Sequence, residues 1–450
     1  MRILHYSLGL PPYRSGGLTK YSNDLMIEQY NQGNQVFLLF PGRMNLLRDS
    51  VRIRHYQKYK NINVFEMVNP LPVPLLNGII NPNYYMKECD KAVFITFLKR
   101  LNPEVVHIHT FMGLYKEFIE ACKESNVKVI YSTHDYFGLC TKANFLDYQG
   151  NVCANRDLKK CLRCNMSGFG INTVKILQSP QYRFAKNYGL IDKIKKINKK
   201  KSIRVDTKET VTIKEDEFIR LLNYYESMFY LIDLFLFNSS VSKEIYEKYL
   251  NINGKVLYIT HGDIMDKRVI KNYDKKALSL TYLGPTKEYK GFFLLNRVMR
   301  QIKEQGYNDI KLNVYGDISI DDSNVCSNIE LHGKYLYKDL ENIFNQTDVL
   351  IVPSIWYETF GFITLEAISH GVPVIVTKNV GSKDIIKSNG FGLIISNNCN
   401  EIYNAIKTIY LDRSILENYN YKIVKSNYDY KISSHVEKII NEYKTLQKEY

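Results

Sequence analysis

The sequence predicts an α/β protein made of two Rossmann-like halves that face each other, with a ligand bound between them. Short apolar runs, typical of buried strands, alternate with segments of helical periodicity along most of the 450 residues. A polar segment, Lys267 to Lys276, separates two such series. Glycines and polar side chains follow several of the runs, where open α/β sheets bind their ligands.

The first half opens as a Rossmann-like unit. A strand is predicted over 2–7, a turn with the pair Gly16-Gly17 follows, and a helix over 19–32 stops at Gly33. Closely packed backbone amides at this glycine pair suit a phosphate or sugar, although turn glycines also occur without any ligand. Further strands are predicted at 35–40, 61–68, 105–110, 127–133, 230–237 and 256–260, with helices at 88–101, 113–125 and up to Tyr249.

The second half repeats the alternation. Strands are predicted at 278–284, 310–315, 329–332, 349–353 and 373–377, and a helix ends at Glu304. The predicted domains are residues 1–265, residues 266–427, and a C-terminal helix within 428–450 that packs back on the first domain. The first domain carries a cysteine insertion at 140–164 and a variable insertion at 165–226.

Composition limits the class of partner. A net charge of +15 favours partners that carry phosphate: nucleotides, nucleic acid or an anionic membrane. We expect no nucleic acid partner, because the chain lacks a helix-turn-helix or an aromatic-plus-basic module. The N-terminus has no signal core, and no apolar run approaches the ~18 residues of a membrane helix. We therefore expect a cytoplasmic protein with reduced thiols and, at most, peripheral membrane contact.

The stretch from Ser354 to Glu366 is the strongest site candidate in the sequence. It joins a buried strand to a helix, and it places Glu358 just before that helix and Glu366 within it. Gly361 permits close approach of backbone amides to a ligand. The two acids could face one ligand, or they could be solvated residues that cap a helix start.

Two histidines stand at neighbouring strand ends. His109 ends the strand at 105–110, and His134 follows the strand at 127–133. A lone histidine is more often structural than catalytic, but two beside one crevice favour a role for one of them. We prefer His134, because a loop follows it.

Four cysteines interrupt the α/β pattern. Cys161 and Cys164 have the two-residue spacing that grips a metal ion, and Cys140 and Cys153 would complete a tetrahedral structural zinc site. Reduced, unligated thiols are one alternative. A pair of disulfides is another, which a cytosolic setting disfavours.

A basic segment lies in the variable insertion. Lys193 to Arg204 holds seven Lys or Arg residues and no acid, and isoleucines recur there at helical spacing. This pattern fits an interfacial helix on anionic lipid, or a solvated insertion.

These motifs, taken in order across nearly the whole chain, resemble the retaining GT-B glycosyltransferases of family 4, also called glycosyl transferases group 1. Glu358 to Glu366 is similar to the E-x7-E motif of that family, and Tyr282 to Gly291 to its G-R-x4-K-G phosphate loop. Gly16-Gly17 and Thr133-His-Asp135 match two N-terminal positions. The cysteine insertion resembles one found in a subset of the family. The resemblance implies a GT-B fold, with two Rossmann-like domains facing each other across a central cleft.

The resemblance also implies roles for individual residues. Glu366 would bind the nucleotide ribose, Glu358 a hydroxyl of the donor sugar, and Lys290 the diphosphate. His134 would lie beside the transferred sugar, so the implied catalytic residues are Glu358, Lys290 and His134. The other implied donor-binding residues are Gly16, Gly17, Lys287, Thr359, Phe360, Gly361, Phe362, Gly316 and Tyr335.

One position departs from the family pattern. Pro285 stands where the phosphate loop of the family has an arginine, so one diphosphate contact is missing and Lys287 is its candidate replacement. The chain has no D-x-D triplet at a strand end, and no nucleophilic carboxylate is evident. The implied reaction is therefore a metal-independent, same-face transfer of a sugar from a nucleoside-diphosphate sugar to a saccharide or lipid-linked saccharide. The alternatives are a nucleotide-sugar epimerase and a non-catalytic nucleotide-sugar-binding protein.

Overall fold

The computed structural model describes residues 1–45, 49–191, 214–274 and 276–448, and it confirms the predicted α/β fold. The first sheet has the strand order β3-β4-β2-β1-β5-β6-β7-β8, and all neighbours are parallel except the pair β3 and β4. Its strands are β1 (Arg2–Tyr6), β2 (Gln35–Pro41), β3 (Arg52–Tyr59), β4 (Ile62–Val68), β5 (Val105–Ile108), β6 (Lys128–Ser132), β7 (Leu234–Phe237) and β8 (Gly254–Val256).

The second sheet is wholly parallel and has the order β11-β10-β9-β12-β13-β14. Every residue of the central strands β12 and β13 is buried, because helices cover both faces of the sheet. The strands are β9 (Leu278–Leu283), β10 (Ile310–Tyr315), β11 (Ile329–Gly333), β12 (Val349–Val352), β13 (Val374–Thr377) and β14 (Gly392–Ile395).

Helices connect the strands of both sheets. Those of the first half are α1 (Gly17–Asn31), α2 (Ala92–Leu101), α3 (Lys116–Glu124), α4 (Leu158–Asn165), α5 (Ile171–Leu177), α6 (Pro180–Asn187), α7 (Glu215–Phe229) and α8 (Ser240–Tyr249). Those that follow are α9 (Phe292–Glu304), α10 (Leu340–Asn345), α11 (Phe362–Ile368), α12 (Lys383–Asn389), α13 (Cys399–Leu411), α14 (Ser414–Lys425) and α15 (Ile432–Lys448). No helix in the described part of the chain is long and apolar enough to cross a membrane.

The structure differs from the sequence-based expectations at three strands. The edge strand β3 was not predicted, because most of its residues are exposed and polar. The strand predicted over 230–237 begins only at Leu234, after the long helix α7, and the one predicted over 256–260 ends at Val256. The basic segment 193–204 lies outside the described residues.

Helix α15 lies against the first domain. The hydroxyl of Tyr443 donates to Nδ1 of His107 at 2.6 Å and accepts from Nε2 of Gln29 at 3.3 Å, while Tyr21 pairs with His435 at 2.8 Å. Tyr443 also belongs to a cluster of buried apolar side chains that continues through both domains. The end of the described chain is therefore fixed to the first sheet by polar bonds as well as by apolar burial.

We predict that Tyr443→Phe destabilises the protein, because it leaves a donor on Gln29 and an acceptor on His107 unpaired and buried. An unsatisfied buried polar group costs about 1–3 kcal/mol. The urea midpoint of Tyr443→Phe should fall, whereas that of Tyr421→Phe, whose side chain is 57% exposed, should not. Equal midpoints for the two variants would show that the hydroxyl does not hold α15 in place.

Candidate active site

The site candidate lies at the carboxyl edge of the second sheet, directly after β12. The backbone of Glu358 is fixed on both sides: its N–H donates to the carbonyl of Asn379 at 2.9 Å, and its carbonyl accepts from the N–H of Gly381 at 2.9 Å. These bonds join the loop after β12 to the loop after β13. The carboxylate of Glu358 is therefore held on a rigid part of the sheet edge.

The Glu358 side chain is a buried, ionised carboxylate. Its Oε1 lies 2.7 Å from Nζ of Lys290, and its Oε2 accepts from Oγ of Ser354 at 2.6 Å. Burial opposes ionisation, but the Lys290 ammonium and the Ser354 hydroxyl hold the pKa of Glu358 below its usual range. The side chain of Lys290 is 22% exposed and that of Glu358 is 13% exposed, so a ligand could reach the pair from one side.

Lys290 ends a short 3₁₀ turn, Glu288–Lys290, that precedes α9. Gly291 follows with a φ of 78°, and a Cβ there would collide with the carbonyl oxygen of Pro353. Only glycine lets the turn approach β12 so closely. The ammonium also lies 5.1 Å from the ring centre of Trp356.

Glu366 is buried on the first turns of α11. Its Oε1 lies 3.1 Å from Nε2 of His261, a residue on the segment between the two sheets. The ring of Tyr337 lies 5.4 Å from that of His261, and burial together with the Glu366 carboxylate raises the pKa of the Tyr337 hydroxyl. Neither His261 nor Tyr337 was predicted; the only sequence signal was that His261 closes the first domain beside a glycine.

The residues between the two glutamates form the start of α11. Gly361 has a φ of 100°, and Phe360 is buried in the core. Thr359 crosses to the first domain, where its hydroxyl donates to the carbonyl of His134 at 3.2 Å and its carbonyl accepts from Ser239 at 2.7 Å.

The glycine pair faces this helix. A Cβ at Gly17 would lie 3.5 Å from the ring of Phe362, and Gly16 has a φ of 110° and open space around it. The structure thus brings the turn after β1 and the start of α11 together across a cleft between the domains.

The other predicted donor-binding residues surround this region. Lys287 is exposed, and its N–H donates to the carbonyl of Pro285 at 2.7 Å. Gly316 packs so tightly on the Gly284 backbone that a Cβ would collide with it. Burial and the Glu366 carboxylate raise the pKa of Tyr335.

His134 belongs to a row of hydrogen-bonded histidines. Nδ2 of Asn238 donates to Nδ1 of His134 at 3.1 Å, His134 Nε2 meets His109 Nδ1 at 3.1 Å, and His109 Nε2 meets His5 Nδ1 at 3.0 Å. The row ends where His5 Nε2 donates to Oε1 of Gln29 at 2.7 Å. Because the amide donor and the carbonyl acceptor fix both ends, each imidazole is neutral and carries its proton on Nε2.

The row of histidines affects the interpretation of His134 as a catalytic residue and of the histidine cluster as a metal site. Both ring nitrogens of His134 are bound within the protein, so the ring presents only its carbon edge to a substrate. His5, His107 and His109 have ligand atoms within 4.8 Å of one another, a spacing compatible with a metal ion. Each of their ring nitrogens already has a hydrogen-bond partner, however, so we interpret the cluster as a hydrogen-bonded core.

The four cysteines of the insertion share one cavity. Cys140, Cys153, Cys161 and Cys164 all line a space of about 30 Å³ on the first domain. Burial raises the pKa of Cys153 to about 11 and that of Cys161 to about 12. Among the described residues, the set with ligand atoms spaced for a metal ion is that of the three histidines, and the four cysteines are not part of such a set. A zinc ion bound by all four sulfurs at about 2.3 Å would require the side chains to turn inward.

The neutral histidines predict a pH-dependent stability. Burial lowers the pKa of His5 to about 4 and those of His134 and His435 to about 3. The unfolded chain takes up protons near pH 6.5 and the folded chain does not, so the free energy of unfolding falls as the pH falls from about 6.5 toward 4. Each such histidine contributes about 1 kcal/mol per pH unit in that range.

Urea midpoints at pH 7.5 and pH 5.5 check this expectation. His435→Gln should reduce the difference between the two midpoints, and His332→Gln, which alters an exposed ring, should leave it unchanged. A stability that is independent of pH in this range would contradict the neutral assignment.

One family model matches the second half of the chain, and two relatives match about a quarter of the chain. The family model "Glycosyl transferases group 1" matches residues 263–426. An uncharacterised 41.2 kDa protein in the cps region of Klebsiella pneumoniae is 30% identical over 128 residues, and an uncharacterised glycosyltransferase of Methanocaldococcus jannaschii is 28% identical over 127 residues. Each alignment covers 27% of this chain and about a third of the relative, 34% and 32% respectively.

The whole chain resembles solved structures in fold. The HepE protein of Anabaena, solved in complex with UDP, superposes with a TM-score of 0.56 at 12% identity, over 99% of this chain and 100% of that one. The protein described here therefore has a GT-B fold, and its residues 263–426 match the family Glycosyl transferases group 1.

Proposed function

We propose that this protein is a retaining glycosyltransferase that moves a sugar from a nucleoside-diphosphate sugar to a saccharide or lipid-linked saccharide. The observation that carries the proposal is the ion pair of Lys290 and Glu358 at the sheet edge, opposite Gly17 and His134. The match to the glycosyltransferase family over residues 263–426 supports it. The UDP bound by the related HepE fold supports a nucleotide donor.

In this proposal, the second domain holds the donor. Lys290 neutralises the negative charge that develops on the departing diphosphate, which is where electrostatic catalysis has its largest effect. Glu358, kept ionised by Lys290 and Ser354, accepts a hydroxyl of the transferred sugar. Glu366, oriented by His261, accepts the ribose hydroxyls.

The departing phosphate takes the acceptor proton, and the new bond forms on the face the phosphate leaves. This pathway needs no metal ion and conserves the anomeric configuration. We place the reaction in the synthesis of a cell-surface polysaccharide, at the cytoplasmic face of the membrane, with peripheral contact to anionic lipid.

Glu358→Gln tests the site. The amide loses the charge that pairs with Lys290, so kcat/KM for sugar transfer should fall at least ~100-fold, or about 2.7 kcal/mol. Lys290→Gln should act in the same direction and should also weaken the thermal stabilisation by nucleoside diphosphates. Glu304→Gln, an exposed acid at the end of α9, is the matched control.

The product separates this function from the alternatives. A panel of UDP-, GDP- and ADP-sugars with saccharide acceptors is incubated, and the anomeric configuration of the product is assigned by NMR. An inverted product contradicts the same-face pathway. Release of an epimerised sugar nucleotide, or nucleotide binding without turnover, contradicts the transferase assignment.

For the insertion, we propose that Cys140, Cys153, Cys161 and Cys164 hold a structural zinc ion. Their shared cavity supports this, and the pKa values of Cys153 and Cys161, raised by burial, mean that these two sulfurs would ionise only with a cation beside them. Metal analysis of the purified protein should find about one zinc per chain. Cys161→Ser should lose it and lower the melting temperature, whereas Cys399→Ser should do neither. Zinc-free protein with four titratable thiols, or with disulfides detected by mass spectrometry, would contradict the proposal.

A further inference from the structure

Two arginines of the first domain are buried with fewer acidic partners than their charges require: Arg14 has none among the described residues, and Arg183 shares Glu66 with other arginines. Arg14 lies in the turn between β1 and α1, and Arg183 lies on α6; each is 8% exposed. Nε of Arg14, and both Nε and Nη2 of Arg183, are enclosed and have no hydrogen-bond partner. Leaving such donors unpaired is costly, and a charged donor costs the most.

The nearest acid does not balance this charge. Glu66 is fully buried on β4 and is shared by three guanidinium groups: Arg43 at 2.9 Å, Arg54 at 3.2 Å and Arg183 at 3.4 Å. Within the described residues, no carboxylate forms an ion pair with Arg14. The cluster therefore holds four arginines and one carboxylate.

Aromatic rings, rather than acids, hold the two guanidinium groups in position. The Arg14 and Arg183 carbons Cζ lie 4.6 and 5.1 Å from the ring centre of Tyr13, and Nζ of Lys186 lies 5.7 Å from the same centre. Tyr13 is itself fixed, since its hydroxyl donates to the carbonyl of Leu177 at 2.9 Å. Cation–π contacts orient the two charges while leaving their N–H groups available.

The position of the cluster relates it to the cleft. Arg14 is three residues before Gly17, which faces Phe362 of the second domain. Pro11, Pro12 and the residues 15–17 around it are exposed. The turn that carries Arg14 is therefore the same turn that lines the cleft on the side opposite the Lys290 and Glu358 pair.

We propose that Arg14 and Arg183 form an anion-binding site that takes a carboxylate or phosphate of the acceptor. The identity of the ligand as the sugar acceptor rests on the proposed function, whereas the presence of an anion-binding site does not. A planar guanidinium donates two parallel hydrogen bonds to either anion. The proposed acceptor is thus acidic, either an acidic saccharide or a polyprenyl-phosphate-linked one.

The experiment measures thermal stabilisation of the full chain by defined anions. Methyl glucuronoside probes the saccharide carboxylate, and farnesyl phosphate probes the lipid phosphate; methyl glucoside and farnesol are the neutral controls. Phe184 of α6 and Tyr188, which follows that helix, are exposed near Arg183 in the chain, which is the reason for including the lipid probe. One of the two anions should raise the melting temperature, and its neutral control should not.

Variants assign the effect to the cluster. Arg14→Gln should abolish the anion-dependent shift and should not lower the melting temperature without ligand, because it removes an unpaired buried charge. Arg52→Gln, an exposed arginine of the same domain, should leave the shift intact, and Lys290→Gln should leave it intact as well.

Two outcomes would overturn the inference. In one, Arg14→Gln keeps the anion shift; in the other, it destabilises the ligand-free protein as much as removal of a purely structural arginine would. If the anion shift is present and depends on Arg14 but no acidic acceptor supports sugar transfer, the site stands and the proposed function fails. If sugar is transferred to neutral acceptors and neither anion raises the melting temperature, the proposed function stands and the anion site fails.

Discussion

Thr359 is the residue through which the two halves of the site depend on each other. Its hydroxyl and carbonyl bind the His134 carbonyl and the Ser239 hydroxyl of the first domain, while its neighbour Glu358 is fixed between the loops after β12 and β13. A second contact, from Ser240 to Asp384 at 2.7 Å through both N–H and hydroxyl, acts beside it. A carboxylate that belongs to one sheet is thus positioned relative to the strand ends of the other. Parallel sheets make this arrangement possible, because the loops that follow their strands all lie at the carboxyl edge.

The protein buries polar groups in two different ways. In the row from Asn238 through His134, His109 and His5 to Gln29, every ring nitrogen has a hydrogen-bond partner, so neutral rings can lie in the core. The arginines around Glu66 have more donors than acceptors, and enclosed nitrogens remain without partners. A satisfied network specifies a structure, whereas an unsatisfied one is more typical of a surface awaiting a ligand. The second domain combines both properties at Glu358, which is paired but still partly accessible.

The sequence predicted the fold well, because its evidence is local. Strands such as Val349–Val352 are buried on both faces and read as continuous apolar runs, and Glu358 and Glu366 follow one of them. It did not predict β3, whose polar edge lacks an apolar pattern, or α7, most of which lies within the variable insertion at 165–226. Partners distant in sequence were also missed: His261 beside Glu366, Tyr443 beside His107, and the arginines around Glu66. These contacts form only when the chain folds, and the residues adjacent in sequence give no sign of them. His134 lies beside His109 at the end of the neighbouring strand, and its proposed role stays a prediction; the sequence could not show that its ring nitrogens are already bound.

The return of α15 to the first domain changes how the halves can move. The chain passes between the domains once before β9 and again between α14 and α15, so two covalent crossings join them instead of one. A single crossing would permit twisting as well as bending. Two crossings oppose a twist of one domain against the other. Bending about the line that joins the two crossings strains neither of these segments. A motion of one domain relative to the other would therefore be close to a hinge with one degree of freedom, which would return Glu358 and the turn after β1 to the same relative position.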